Sequence, residues 1–97
     1  MHIIARKVLR EFSDAHLKAK PGLDAWYHEV KRVEWRSPSD VLKLYPKARI
    51  VGKDRVIFNI ANNRYRLVVK VSYASGKVFI RFVGTHKEYD RIDVEEV

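Results

Sequence analysis

The stretch "RYRLVVKVSYASGKVFIRFV", residues 64 to 83, decides the fold. Tyr65, Leu67, Val69, Val71 and Tyr73 alternate with Arg64, Arg66, Val68, Lys70 and Ser72. A period of two over this length marks an extended strand with two distinct faces. Ala74-Ser75-Gly76 supplies turn residues. Lys77 to Val83 then alternates again, with Val78, Ile80 and Phe82 against Phe79, Arg81 and Val83. Two such strands joined by a short turn make an antiparallel hairpin. A slip of one residue would send every side chain to the wrong face, so the apolar faces must match. Pairing Tyr73 with Val78 matches them. That register predicts Val71 opposite Ile80, Val69 opposite Phe82, Leu67 opposite Gly84 and Arg66 opposite Thr85. It also sets Lys70 against Arg81 and Val68 against Val83 on the other face. Like charges directly across a ladder destabilise a sheet, so the Lys70–Arg81 pair points to an anion lying over that face.

Working outward, Val56, Phe58 and Ile60 alternate with Ile57 and Asn59, and Ala61-Asn62-Asn63 reads as the turn into the hairpin. The apolar start, Met1 to Ile4, suits a short edge strand. From Ala5, a stripe at Ala5, Val8, Leu9, Phe12 and Ala15 or His16 has helical spacing. Lys20-Pro21-Gly22 is expected to break it. A second stripe follows at Leu23, Trp26, Tyr27, Val30 and Val33. These two helices should cover one side of the sheet, with their aromatic rings in the core rather than in a base-stacking platform. Ser37-Pro38-Ser39-Asp40 reads as a further helix start, with Ser37 as cap, Pro38 in the first turn and Asp40 at the positive end; Pro46 ends it. The fold class is α+β.

At 97 residues the chain is expected to form a single domain spanning 1–97. Hydrophobic residues make up 46% of it, enough for a packed core and too many for intrinsic disorder. Cysteine is absent, which excludes disulfides and cysteine-based zinc sites. No apolar run approaches the roughly 20 residues needed to span a bilayer, and the N-terminus lacks the apolar region of a signal peptide. A soluble, cytoplasmic protein without a membrane partner is expected. Twenty Lys and Arg against twelve Asp and Glu give a net charge of +8, which suits a polyanion such as RNA. A Walker loop, a G-x-S-x-G elbow and a Rossmann fingerprint are all missing, so nucleotide hydrolysis, serine chemistry and dinucleotide binding lack their marks.

The stretch "GTHKEYDRID", residues 84 to 93, follows the last strand. Thr85 and Glu88 fit a capping box, which is a structural role. His86 and Tyr89 are three residues apart and share a helical face. Histidine is the side chain that ordinarily exchanges a proton near neutrality. By the inferred register it lies near Arg66 and Arg64. Such groups suit an attack on RNA by its own 2′-hydroxyl, which needs proton transfer at two oxygens and cations for the charge on phosphorus. His2, His16 and His28 show no paired-ligand motif, so neither a metal site nor another cofactor is expected.

"NNRYRLVVKVSY" (62 to 73) followed by "VFIRFVGTHKEYDRID" (78 to 93) resembles the HigB-type toxins of bacterial type II toxin–antitoxin systems, within the RelE-like superfamily. "MHIIARKVLREF" at the start and "VIFNIANN" in the centre fit as well, so the resemblance covers nearly the whole chain. It implies a compact antiparallel β-sheet with two N-terminal helices packed on it and a short C-terminal helix. It also implies an mRNA interferase that cuts messages on the translating ribosome without a metal. Such a toxin is neutralised by a HigA-type helix-turn-helix antitoxin and meets operator DNA only through the toxin–antitoxin complex. Carried over by position, Arg66, His86 and Tyr89 match the catalytic pattern, while Arg64, Lys70, Arg81, Lys87 and Asn63 are expected to contact RNA. Asn59 is a weaker candidate. The general base stays open between His86 and a helical carboxylate such as Glu29. The competing reading is a non-catalytic basic RNA-binding module, with phosphates on the sheet face and a base stacked on Phe79. A membrane-surface helix fits poorly, because the charges fall on strands as much as on helices.

Overall fold

The computed structural model describes all residues from 1 to 97. The chain runs β1 (His2–Ile4), α1 (Arg6–Ala15), a 3-10 turn (Leu17–Ala19), α2 (Lys20–Val30), α3 (Pro38–Leu44), β2 (Arg49–Val51), β3 (Arg55–Ile60), β4 (Tyr65–Ser72), β5 (Lys77–Thr85) and α4 (His86–Tyr89). The five strands form one sheet in the order β1-β5-β4-β3-β2. Every pairing is antiparallel except that of β1, the expected edge strand, which lies parallel to β5. The sheet is therefore mixed. β2, only three residues long, had no alternation from which to predict it. No helix is long and apolar enough to cross a membrane.

One face of the sheet carries the core. Val56, Phe58, Ile60, Leu67, Val69, Val71 and Val78 pack with Leu9, Leu23, Trp26 and Val30 from the two N-terminal helices. Phe58 is the aromatic hub: its ring lies edge-on to Trp26 at 5.4 Å and Tyr45 at 5.1 Å, and stacked on Trp35 at 6.1 Å. The helical aromatics are thus core residues, as expected. α1 departs from its predicted stripe. It turns Leu9, Phe12 and Ser13 inward and leaves Val8 41% exposed. The break between α1 and α2 falls at His16 rather than at Lys20-Pro21-Gly22. Pro21 sits in the first turn of α2, where a missing N–H leaves no hydrogen bond unmade. Gly22 lets α2 approach the sheet closely, since a Cβ there would lie 2.9 Å from Cγ2 of Ile60. Ser37 precedes α3 but makes no side-chain cap; Asp40 instead accepts the Arg36 N–H at 2.9 Å.

The central hairpin exists, in a different register. Ser72 pairs with Lys77, Val71 with Val78, Lys70 with Phe79 and Val69 with Ile80. This is two residues away from the expected pairing, so the faces are preserved at the turn end. Gly76, at φ 69°, takes the last loop position, where a left-handed residue returns the chain to the strand. A β-bulge then leaves Arg81 unpaired, and pairing resumes as Val68–Phe82, Leu67–Val83, Arg66–Gly84 and Tyr65–Thr85. The extra residue exchanges the two faces. Val83 packs on the core and Phe82 turns outward, the reverse of the predicted alternation. "IRFV" reads equally well in either phase, which is why the bulge was invisible.

Lys70 therefore meets Phe79, not Arg81. The like-charge pair across the ladder lies on the other flank, between Arg55 and Lys70. Asp54 bridges it, with its carboxylate 3.1 Å from Arg55 Nη1 and 3.9 Å from Lys70 Nζ. The anion that the pair demands is supplied by the protein itself. Ile57 and Val68 are also buried, on the face opposite the helices. After α4 the chain runs back to that end of the sheet, where Arg55 Nη2 donates to the Val97 carbonyl at 3.2 Å.

α4 starts with the expected capping box. Thr85 Oγ1 accepts the Glu88 N–H at 3.3 Å, and Glu88 Oε1 accepts the Thr85 N–H at 2.8 Å. The Thr85 backbone N–H, and after it the Thr85 side chain, hold the Glu88 carboxyl below its ordinary value, with His16 and Arg91 adding to it. Just before it, Gly84 is buried, and a Cβ there would lie 2.5 Å from the Phe82 ring.

Two outcomes are expected. Gly84→Ala should destabilise the protein by about 1–3 kcal/mol in urea unfolding, through overpacking against Phe82. The loss should shrink when Phe82 is also changed to Leu, because the two sites share one space. Glu88, with its folded-state pKa depressed, contributes stability that is complete above the ordinary carboxylate value of 4.5 and fades as pH falls through the lower folded value. Glu88→Gln should therefore flatten the acid limb of a stability–pH curve while keeping the cap, since glutamine can accept the same hydrogen bond.

Candidate active site

The site gathers at the end of the sheet where β4 begins and β5 ends. Arg66 faces outward, opposite Gly84 on one side and Asn59 on the other. Gly84 has no side chain, and the space beside it is taken by the Phe82 ring and the Glu88 carboxylate. Arg66 Nη1 donates to the Asn63 carbonyl at 2.7 Å and the Tyr65 carbonyl at 3.3 Å. Those contacts fix the group while its Nε and Nη2 donors stay free. The guanidinium carbon lies 5.8 Å from the centre of the Tyr89 ring, within cation–π range. Tyr89 in turn meets His86, with ring centres 6.4 Å apart and planes at 65°. Tyr89 thus contacts both Arg66 and His86, and the three residues singled out in the sequence are brought together.

His86 is more than half exposed, and its Nδ1 lies 3.1 Å from Oδ2 of Asp90. A carboxylate at Nδ1 orients the imidazole and leaves Nε2 without a hydrogen-bond partner in the protein. Sequence reasoning overlooked Asp90. The signal was the i,i+4 spacing of His86 and Asp90, which places both on one side of a helical turn.

The remaining candidates divide. Arg64 and Lys87 are exposed near this end, and neither is paired with a carboxylate. Asn63 contributes its carbonyl to Arg66. Lys70 lies four residues along β4 from Arg66, about 13 Å at 3.3 Å per residue, and is held by Asp54. It does not join the cluster. Arg81, on the bulge, sets its guanidinium 5.8 Å from the centre of the Phe79 ring, toward the hairpin turn. Phe79 is therefore already partnered by a cation. Glu29, the alternative base, accepts the Tyr45 hydroxyl at 2.8 Å. Burial, followed by this contact with Glu29, raises Tyr45 well above the ordinary tyrosine range, so the phenol remains a donor.

Beside Arg66, β2 pairs with β3 only as far as Ile57, and no strand covers the edge from Phe58 to Ile60. A cavity of about 450 Å³ opens there, lined by Leu44 to Ala48, Phe58, Asn59, Asn62 and Asn63. Asn62 and Asn63, with Ala61 before them, are all left-handed, at φ 55°, 70° and 54°.

Residues 19–92 match the family described as HigB_toxin, the RelE-like toxic component of a toxin–antitoxin system. The mRNA interferase toxin HigB of Escherichia coli K12 is 30% identical over 93 residues, spanning 93% of this chain and 88% of its own length. The mRNA interferases HigB of Escherichia coli O157:H7 and Shigella flexneri match to the same extent. With three quarters of its length inside that family's pattern and a sheet, helices and cationic edge of the expected kind, the chain belongs to the HigB family of RelE-like toxins.

Proposed function

We propose that this protein is an mRNA interferase, an endoribonuclease that cuts messages on the translating ribosome in the cytoplasm and so stops translation. The observation that carries the reading is the exposed His86 imidazole, oriented by Asp90 and joined through Tyr89 to the free guanidinium face of Arg66. Arg66 would bind the scissile phosphate and offset the charge that builds on it. The ribose 2′-oxygen attacks phosphorus, the bond to the 5′-oxygen breaks, and a 2′,3′-cyclic phosphate forms. The 2′-hydroxyl must lose a proton and the departing 5′-oxygen must gain one. His86 Nε2 serves one of these transfers, and Tyr89 positions the phosphate between it and Arg66. Because the nucleophile belongs to the RNA, the step needs no metal. Arg64 and Lys87 extend the cationic surface along the message. A HigA-type helix-turn-helix antitoxin neutralises the protein, and operator DNA is reached only through that complex.

Purified protein added to translating ribosomes should give new mRNA 5′ ends in primer extension. His86→Ala should lower cutting by about 10²–10⁴-fold, the usual worth of a general acid or base. Arg66→Ala should be comparably impaired, with an unchanged circular dichroism spectrum. Lys70→Ala should matter less than Arg64→Ala or Lys87→Ala. Folded His86→Ala and Arg66→Ala proteins that cut normally would refute the site. RNA binding without new 5′ ends would favour the non-catalytic module.

A further inference from the structure

We propose that the cavity at the uncovered edge of β3 is a nucleobase pocket, which takes an unstacked purine of the RNA beside the phosphate held by Arg66. The inference rests on the reading of Arg66 as the phosphate site and adds a substrate-selecting element to it. The cavity and Arg66 are physically joined. Asn63 lines the cavity and gives its carbonyl to Arg66 Nη1 at 2.7 Å, and Asn59 lines it while standing directly across the ladder from Arg66. An RNA strand anchored by its phosphate at Arg66 would therefore have a neighbouring base within reach of this opening.

The lining has the chemistry of a base site. Tyr45, Pro46 and Phe58 supply apolar and aromatic walls. The Tyr45 hydroxyl is already committed to Glu29, so that residue offers the cavity its ring rather than its oxygen. Against these walls stand three carboxamides, Asn59, Asn62 and Asn63, none of which has a side-chain hydrogen bond within the protein. Each offers a donor and an acceptor together, which is what the edge of a base requires. Sequence-selective proteins read single-stranded RNA in this way, by splaying bases out, stacking them on aromatic rings and bonding their edges. A purine presents N7 and its exocyclic group side by side, so one carboxamide can engage both, and Lys47 at the rim can donate to N7 or O6. The left-handed run from Ala61 to Asn63 holds two of the three carboxamides at this rim. A conformation that L-residues seldom adopt is tolerated best by asparagine.

The test uses short RNA oligonucleotides methylated at every 2′-oxygen, which cannot be cut, with adenine, guanine, cytosine, uracil or no base at one position. Binding is read by fluorescence anisotropy. Wild-type protein should favour a purine at one position over the abasic oligonucleotide by about tenfold, in the range of one stacked and edge-bonded base. Asn62→Asp keeps the left-handed backbone and removes the amide donors; Lys47→Ala changes an exposed loop residue. Both should bring the purine-to-pyrimidine ratio close to one. Arg66→Ala should weaken all oligonucleotides together and keep the ratio. A ratio unmoved by Asn62→Asp and Lys47→Ala would overturn the proposal, as would a pyrimidine preference, no base preference, or no binding at millimolar oligonucleotide. Since nothing is cut, failure of the nuclease reading appears separately, as base discrimination without new 5′ ends on ribosomes.

Discussion

The pairing of β4 with β5, interrupted by one unpaired residue at Arg81, is the constraint on which the site depends. Were the register of the hairpin end continued without the bulge, Arg66 would face Val83 and Tyr65 would face Gly84. The added residue advances β5 by one, so the position beside Arg66 has no side chain and Thr85 arrives where it can cap α4. It also turns Phe82 to the outer face, where its ring fills the space left by Gly84. One irregularity therefore seats an aromatic ring in the place beside Gly84 and launches the turn that carries His86. Bulges commonly re-aim side chains near sites of this kind.

The two ends of the sheet treat charge in opposite ways. At the end of Lys70, Asp54 neutralises a cross-strand pair of cations, and the last residues of the chain return to Arg55. At the end of Arg66, the guanidinium is tied only to carbonyls, and Arg64 and Lys87 have no carboxylate partner. Three cations without a carboxylate partner thus stand at the end that carries the imidazole. Family membership indicates that the chain is the toxic half of a pair.

Much of this was legible in the sequence because strong periodic signals met strong local chemistry. Strand alternation from Arg64 onward, the helical stripes around Leu9 and Trp26, and the T-x-x-E cap each had a single physical reading. So did the placing of Arg66, His86 and Tyr89 near one another, because β4, β5 and a capped turn admit few arrangements. The failures have equally specific causes. The hairpin closes two residues away from the expected pairing, so Lys70 is matched with the wrong partner, and a bulge within "IRFV" leaves no trace in alternation. Pro21-Gly22 looked like a break, although proline suits a first helical turn and glycine was needed for close approach to Ile60. The contact of His86 with Asp90 spans i,i+4 and so lies outside the i,i+3 pattern that joins His86 to Tyr89. The cavity beside β3 depends on where β2 stops, and three residues of β2 carry no periodic signal.

α4 is a single turn, hung on two reciprocal hydrogen bonds and remote from the aromatic hub around Phe58. Its chemistry and the molecule's architecture are consequently separable in heredity. With His86 in the role proposed for it, one nucleotide change in its codon would disarm the chain and leave every core contact in place. The harmless copy would keep the shape by which a neutralising partner knows it, and would compete with its lethal sibling for that partner.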